Sequence, residues 1–219
     1  MTVGDNPARV PTLRDRIEAL LRGSEPGVEP EIPWAASLTP EQVASIRQAV
    51  PQSLARAAVL VPLVERPEGL HVLLTLRASH LKHHAGQVSF PGGRLEPGDA
   101  GPWEAALREA QEEIGLEPRF VSRVGYLRDH IVITGFRVTP VVGFVQPGFT
   151  LRLDTKEVED VFEVPLDFVL DPVNHLPRDR QFAGFTVSTY EIPYQGRHIW
   201  GATASMLLTL SALVQGSVP

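Results

Sequence analysis

Three glutamates at helical spacing, Glu109, Glu112 and Glu113, are the residues of this sequence with the clearest capacity for chemistry. Exposed glutamates on a helix commonly have a lysine or arginine three or four positions away. Glu112 has Arg108 at that spacing, whereas Glu109 and Glu113 have no basic residue there and face each other at i, i+4. Carboxylates that repel one another suit a hard divalent cation such as Mg²⁺ or Mn²⁺, which prefers oxygen ligands. An ordinary solvated helix face is the alternative interpretation.

The helix that carries these glutamates is predicted to begin near Gly101-Pro102-Trp103 and to end at Gly115. Its apolar residues form one stripe at helical spacing, made of Trp103, Ala106, Leu107, Ala110 and Ile114. At about 100° per residue, the three glutamates fall in a sector roughly a third of a turn from the centre of that stripe. We therefore expect them to lie beside the core rather than in it.

A glycine pair, Gly92-Gly93, precedes this helix and leads into it through the turn sequence Glu-Pro-Gly-Asp. Glycine allows positive φ and close backbone approach, so a carbonyl or amide of the pair can face the same cation or a phosphate. A plain turn is the usual explanation for an isolated Gly-Gly. A Gly-Gly loop that returns to an acidic helix is a less common combination.

The composition is that of a folded protein able to bury a core, with 219 residues, 43% of them hydrophobic, and a mean hydropathy of -0.02. The net charge of -6 argues against a nucleic acid as partner. The absence of cysteine excludes disulfides, zinc–thiolate sites and a thiol nucleophile. The longest apolar stretch, 57–64, is too short to span a membrane, and the N-terminus lacks the apolar run of a signal peptide. A cytoplasmic protein without membrane association is expected.

The remaining pattern predicts a mixed α+β fold, with a strand-rich centre, helices at both ends and one helix in the middle. Helices are predicted over 12–22, with Thr12 as N-cap, after Thr39-Pro40, and over 203–215. Strands are predicted over 57–65 and 70–77, joined as a hairpin, and over 121–129, 137–145 and 185–194. Residues 154–170 read as an acidic loop, then a strand, then a helix, and residues 23–34 as a linker.

The helix and its preceding loop resemble the Nudix box, G-x5-E-x7-R-E-U-x-E-E-x-G-U, in which U is aliphatic. The matching positions are Gly93, Arg108, Glu109, Ala110, Glu112, Glu113, Gly115 and Leu116. Asp99 stands where the box has its first glutamate, and eight residues rather than seven separate it from Arg108. Because the extra residue falls in the loop before the helix, we expect the glutamate face to stay intact.

This resemblance implies the Nudix fold, an α/β/α sandwich with a mixed β-sheet flanked by helices. It would occupy residues 53–219, after an N-terminal helical extension and linker at 1–52. It also implies hydrolysis of a nucleoside diphosphate linked to another group, with Mg²⁺ or Mn²⁺ as cofactor. Glu109, Glu112 and Glu113 would be metal ligands together with the Gly93 backbone, Arg108 would orient a glutamate, and the Gly92–Gly93 backbone would line the metal or the diphosphate.

The stretch 73–93, LLTLRASHLKHHAGQVSFPGG, resembles the signature of the coenzyme A branch of this family, L-L-T-x-R-[SA]-x3-R-x3-G-x3-F-P-G-G. Lys82 stands where the signature has arginine, which keeps the charge and loses the bidentate fork. The resemblance implies coenzyme A or a derivative as substrate, cleaved to 3′,5′-ADP and 4′-phosphopantetheine. Arg77, Lys82 and His84, with His83 beside them, are the candidates for phosphate contact. A homodimer is implied by the resemblance alone.

The resemblance also implies a general base from an acidic loop after the sheet, where Glu157 is the candidate and Glu159 or Asp160 could take its place. An ordinary exposed loop carboxylate is the alternative interpretation of Glu157. Two further functions fit the box. One is a Nudix hydrolase for another diphosphate, such as ADP-ribose, a dinucleoside polyphosphate or an oxidised nucleotide. The other is a non-catalytic Nudix ligand-binding module, although such domains typically lose glutamates that this chain keeps.

Overall fold

The computed structural model describes residues 10–28, 39–49, 53–132, 135–182 and 184–216. Within those ranges the chain forms an eight-stranded sheet, a three-stranded sheet and five α-helices. The helices are α1 (Leu13–Leu21), α2 (Pro40–Ala49), α3 (Pro102–Ile114), α4 (Leu166–Leu170) and α5 (Gly201–Gln215). The strands are β1 (Ala55–Arg66), β2 (Gly69–Arg77), β3 (Val88–Ser89), β4 (Gly92–Arg94), β5 (Val121–Tyr126), β6 (His130–Val132), β7 (Phe136–Val145), β8 (Val158–Pro165), β9 (Leu176–Phe182), β10 (Phe185–Tyr194) and β11 (Arg197–Trp200).

Strand β1 is the centre of the large sheet. It pairs with β7 in parallel, from Ala55 opposite Phe136 to Val64 opposite Val145, and with β2 in the predicted antiparallel hairpin. The strand order is β3-β2-β1-β7-β5, with β4 also on β1, β6 on β7 and β8 on β2. One parallel pair among antiparallel ones makes the sheet mixed, as the sequence predicts.

Alternate residues of β1 separate two hydrophobic cores. Leu60 and Val64 point to the face covered by α3, whereas Val61 and Leu63 belong to the larger core, which includes side chains of α1, α4 and α5. The period of two in a strand sends successive side chains to opposite faces, so a strand buried on both sides reads as a continuous apolar run. The predicted α/β/α sandwich is confirmed.

Helix α1 is packed into the larger core. Thr12 and Asp15 form a capping box at its N-terminus, and Ile17 and Leu21 are buried. Arg16 donates a hydrogen bond of 2.7 Å to the carbonyl of Val214 in α5. The segment ahead of the main sheet is thereby joined to the C-terminal helix.

The predicted division of the chain at residues 52 and 53 adjoins residues 50–52, which lie outside the described ranges. The predicted linker over 23–34 is likewise described only to residue 28. Both assignments stay predictions. None of the described helices has the length and apolar character needed to cross a membrane.

Helix α3 has the predicted bounds. Gly115 ends it at φ 71°, in the left-handed region, and its N–H donates to the carbonyls of Ala110 and Gln111. A Cβ at Gly115 would lie 2.8 Å from the backbone nitrogen of Arg152, so the close approach of the following segment also requires glycine. The segment after β7 packs beside this last turn, where the N–H groups of Arg152 and Asp154 donate to the carbonyls of Ile114 and Glu113.

Candidate active site

The glycine pair of β4 allows α3 to lie close against the sheet. Gly93 pairs with Ala58 of β1, and a Cβ on Gly93 would overlap the carboxylate of Glu109. The N–H of Gly92 donates to Oε2 of Glu113 at 3.1 Å. A side chain at Gly93 would therefore displace the Glu109 carboxylate, and one at Gly92 would overlap the backbone of β1 at Ala58 and Val59.

Glu113 is buried, with 5% of its side chain exposed. The expectation that all three glutamates lie beside the core is therefore wrong for Glu113. The helical angle alone did not indicate its depth, because the depth depends on how close the glycine strand lies to the helix. Burial raises the pKa of Glu113 to about 8, and the charges of Glu109 and Glu157 act in the same direction, against the Gly92 N–H and Arg77.

Arg108 holds the other two glutamates. Its Nη1 donates to Oε1 of Glu109 at 2.9 Å and to Oε2 of Glu112 at 3.2 Å. Glu109 therefore has a basic partner one position away, outside the three- and four-residue spacings at which helical side chains usually meet. Burial still raises the pKa of Glu109, and Arg108 opposes that shift. The expected orienting contact between Arg108 and a glutamate is present in the structure.

Asp99 anchors the opposite side of the same guanidinium. Nε of Arg108 donates to Oδ1 of Asp99 at 3.1 Å and Nη2 to Oδ2 at 3.0 Å, and Nη2 also donates to the Arg94 carbonyl. These bonds hold the pKa of Asp99 below its usual range. The extra loop residue between Asp99 and α3 is accommodated without loss of this contact, so the glutamate face stays intact as expected.

Five carboxylates line one cavity of about 340 Å³ beside α3, and they are Glu109, Glu112, Glu113, Asp154 and Glu157. Sequence reasoning missed Asp154, although it begins the acidic segment in which Glu157 was selected. The alternatives to Glu157 have other partners. Glu159 accepts the N–H of Ser79, and Asp160 accepts a 2.5 Å hydrogen bond from Arg197. Glu157 is therefore the one of the three predicted base candidates that lines this cavity.

The candidate substrate contacts lie at the end of β2 and in the loop after it. Nη1 of Arg77 is 3.8 Å from Oε1 of Glu113, so this arginine borders the carboxylate cluster. Lys82, His83 and His84 are exposed on that loop. His84 adopts φ 58° and its Nδ1 bonds Oε1 of Gln87 at 2.8 Å. Their roles toward a substrate stay predictions.

The donor set fits a hard divalent cation in its chemistry, because carboxylate oxygens of several chain segments face one cavity. Glu109 is bonded to Arg108, and Glu113 to the Gly92 N–H. Among the residues that the structure describes, no group of three or more acidic or histidine side chains is arranged as it stands to hold a metal ion. Ligation would therefore require these carboxylates to turn from their present partners toward the cavity.

Comparison with protein families gives a match over the region that contains this site. A family model of the NUDIX domain matches residues 54–183, more than half of the chain. The chain belongs to the Nudix family. It is an enzyme of the Nudix diphosphatase type, and Nudix hydrolases act on small-molecule substrates and generally use divalent cations.

Similar proteins agree with this membership. The chain is 45% identical over 157 residues to proteins named Uncharacterized Nudix hydrolase NudL from Salmonella paratyphi B and from Salmonella newport, covering 71% of this chain and 81% of each relative. Among solved structures, a Nudix hydrolase from M. smegmatis, RenU, superposes with a TM-score of 0.51 at 20% identity, over 76% of this chain and 89% of that one. At that identity the superposition shows the fold alone.

Proposed function

We propose that this Nudix enzyme hydrolyses the diphosphate of coenzyme A or a derivative to 3′,5′-ADP and 4′-phosphopantetheine, or to acyl-phosphopantetheine from an acyl derivative. The observation that carries the proposal is the meeting of two sequence motifs at Glu113. Its Oε2 accepts the N–H of Gly92, and its Oε1 faces Arg77 at 3.8 Å. Both partners come from the stretch 73–93, which resembles the coenzyme A signature, whereas Glu113 comes from the Nudix box.

In this proposal, Glu109, Glu112 and Glu113 hold Mg²⁺ or Mn²⁺ together with the Gly93 backbone. Bound divalent cations would supply positive charge to the diphosphate oxygens and lower the pKa of the attacking water. Arg108 contacts Glu109 and Glu112 through Nη1, while its Nε and Nη2 contact Asp99. Arg108 thus restrains these two glutamates beside the cavity, and they would turn toward the cation when it binds.

Glu157 is the proposed general base. It lines the same cavity as the three glutamates, and the end of β2 fixes the adjoining backbone, because the N–H of Ala78 donates to the Glu157 carbonyl at 2.8 Å. A carboxylate in that position can accept a proton from the attacking water. Attack at one phosphorus of the diphosphate breaks the bridging P–O bond, and the two phosphate products leave separately.

Arg77, Lys82 and His84 are the proposed contacts for the phosphates of the substrate, with Gly92 and Gly93 offering backbone groups. Coenzyme A carries a 3′-phosphate in addition to its diphosphate, so it requires cationic groups beyond those at the cleavage site. Exposed Lys82 and His84 lie on the loop that starts directly after Arg77. A charged side chain on a flexible stem suits a phosphate on that side of the cavity.

The decisive experiment compares substrates on the purified protein in Mg²⁺ and in Mn²⁺. Coenzyme A, ADP-ribose and a dinucleoside polyphosphate are incubated separately, and products are identified by chromatography and mass spectrometry. We expect 3′,5′-ADP and 4′-phosphopantetheine from coenzyme A. Intact coenzyme A together with cleavage of another diphosphate would overturn the substrate assignment. Dephospho-coenzyme A, which lacks the 3′-phosphate, serves as the matched control for the cationic loop.

Cytoplasmic location and a homodimeric state accompany this proposal as predictions. Fractionation of the host cells tests the first, and sedimentation velocity of the purified protein tests the second. A sedimentation coefficient that matches the 24.0 kDa chain would exclude the dimer.

A further inference from the structure

Arg77 is held firmly by its backbone. Its N–H donates to the carbonyl of Gln87 at 3.0 Å, and its carbonyl accepts the N–H of Gly86 at 3.1 Å. The register of β2 against β8 shifts between Leu76 and Arg77, which is the point where the strand leaves the sheet. The Cα of Arg77 is therefore fixed beside the cavity, while the side chain can still choose among rotamers.

The guanidinium of Arg77 is poorly satisfied where it lies. Its Nη1 is 3.8 Å from Oε1 of Glu113, beyond hydrogen-bonding distance, and its buried Nε has no hydrogen-bond partner among the residues that the structure describes. Arg108, by contrast, donates to two carboxylates through Nη1 and to a third through Nε and Nη2. A buried donor without a partner is costly, so another position that satisfies it competes well with this one.

Glu113 needs a positive charge beside it in order to be ionised in this position. Its side chain is 5% exposed, and four other acidic residues, Glu109 and Glu157 among them, line the same cavity. Arg77 supplies that charge from outside hydrogen-bonding distance. A divalent ion ligated by Glu113 would supply it more strongly and would repel the guanidinium a few ångströms away.

We propose that Arg77 is an internal counter-cation of Glu113 and exchanges this carboxylate for the anionic substrate when a divalent cation is bound. Arg77 and the cation thus compete for Glu113, and the released guanidinium contacts a substrate phosphate. The proposal rests on the function proposed above for the role of Glu113 as a metal ligand and for the identity of the substrate. It adds a thermodynamic coupling between cation and substrate that runs through one arginine.

The test measures Mn²⁺ affinity of the full chain without substrate, by electron paramagnetic resonance of the free ion. Arg77→Gln removes the competing charge, so we expect roughly tenfold tighter Mn²⁺ binding. Arg77→Lys keeps a charge there, and its affinity should stay closer to that of the wild type than to that of Arg77→Gln. Arg119→Gln is the matched control, because Arg119 is an exposed arginine whose carboxylate partner is Glu117. It removes the same net charge away from the cavity.

Unchanged or weaker Mn²⁺ binding by Arg77→Gln would overturn the exchange, as would an equal gain in Arg119→Gln.

A measurement on the unmodified protein avoids dependence on the folding of a variant. Mg²⁺ titration followed by ¹⁵N NMR should shift the Arg77 Nε resonance in step with saturation, with Arg77→Lys used for assignment. A resonance that does not move as Mg²⁺ saturates would overturn the proposal on its own.

The substrate half of the exchange appears in the kinetics. With saturating Mn²⁺, Arg77→Gln should raise the KM for coenzyme A about tenfold and change kcat little, because the lost contact is made equally in the ground and transition states. A fall in kcat at unchanged KM would contradict that half.

Failure of the proposed function is recognised separately. Glu113→Gln enters the same Mn²⁺ titration, and wild-type affinity in that variant would reject Glu113 as a ligand. Loss of Mn²⁺ binding in Glu113→Gln together with unchanged affinity in Arg77→Gln would reject only the exchange. Neither result depends on which diphosphate the enzyme cleaves.

Discussion

Two buried glutamates of this protein, Glu113 in α3 and Glu191 in β10, lie in opposite electrostatic surroundings. Glu191 accepts a hydrogen bond from Arg178 at 3.0 Å and another from His198. These partners, His198 first, hold its pKa below the usual range. Glu113 accepts a hydrogen bond from the backbone N–H of Gly92 but none from another side chain among the described residues, and burial raises its pKa to about 8.

The ionised carboxylate of Glu191 stabilises the fold, whereas an ionised carboxylate at Glu113 lowers its stability. A buried charge with cationic hydrogen-bond partners is compensated, whereas one placed among like charges costs stability. Strongly perturbed carboxyls in a cavity are candidates for function for that reason. The same Glu→Gln change should lower activity and leave the protein folded at Glu113, whereas at Glu191 it should lower stability and leave activity unchanged. The two variants therefore form a controlled comparison.

The largest expected effect is on catalysis by Glu113→Gln. We expect kcat to fall at least about 100-fold, because the amide is a poor ligand for a divalent cation. The protein should remain folded, since the change removes a buried charge. Steady-state kinetics in Mg²⁺ and a thermal melt measure the two effects. Glu104→Gln, an exposed position in the first turn of the same helix, is the control. Near-wild-type turnover in Glu113→Gln would reject the metal-ligand role.

Asp99→Asn should have a smaller effect on turnover, a loss of about tenfold, because it weakens the contact that orients Arg108 rather than a proposed ligand. The neutral amide still reaches the guanidinium but offers a single acceptor oxygen in place of two. The variant is compared in kcat with Glu96→Gln, an exposed position in the same loop. Equal activity of the two variants would mean that Glu109 and Glu112 orient Arg108 without Asp99.

Glu191→Gln should leave turnover unchanged and lower stability instead. The change weakens the hydrogen bonds to Arg178 and His198, whose side chains are 53% and 66% exposed, so we expect a cost of about 1 kcal/mol. Such a cost corresponds to a fall of about 2–4 °C in Tm for a domain of this size. Urea unfolding and calorimetry measure it. A loss of turnover that exceeds the loss of folded protein would remove the distinction between the two sites.

The smallest expected effect is on the pH dependence of stability relative to the wild type, which should have opposite signs for the two variants. It is measured in the presence of a metal chelator. Because the pKa of Glu191 is lowered on folding, its stabilisation is present above the unfolded pKa of about 4.3 and is lost as pH falls through the lowered value. The wild type should therefore lose its advantage over Glu191→Gln in acid. Because the pKa of Glu113 is raised to about 8, wild-type stability should fall relative to Glu113→Gln as pH rises from about 4.3 to 8. If the stabilities of the two variants relative to the wild type changed with pH in the same direction, the proposed difference between Glu113 and Glu191 would be wrong.

The sequence was sufficient for features that depend on local rules. The bounds of α3 follow from a proline at the start and a glycine at the end, and the β1–β2 hairpin follows from two apolar runs around a short turn. The glutamate face follows from helical spacing, and the mixed sandwich follows from the resemblance to the Nudix box. Each of these signals lies within a short stretch of chain.

The remaining features depend on contacts between distant segments. The depth of Glu113 is set by Gly92, the partner of Arg108 is Asp99, and Arg77 approaches α3 from the end of another strand. Asp154 joins the cavity because the segment after β7 packs beside the last turn of α3, where the N–H of Asp154 donates to the Glu113 carbonyl. Helical spacing contains no information on any of these approaches. The three-stranded sheet was also missed in part, since β10 was predicted and its neighbours β9 and β11 were not.

Helices α1 and α5 close the larger core from positions 198 residues apart, through Arg16 and Val214. During synthesis, α1 leaves the ribosome long before its partner exists. Ile17 and Leu21 belong to the core that also contains side chains of α5, so this core is complete only once α5 has emerged. Nascent chains stalled before α5 should be cleaved by protease at α1, whereas released full-length chains should be protected there.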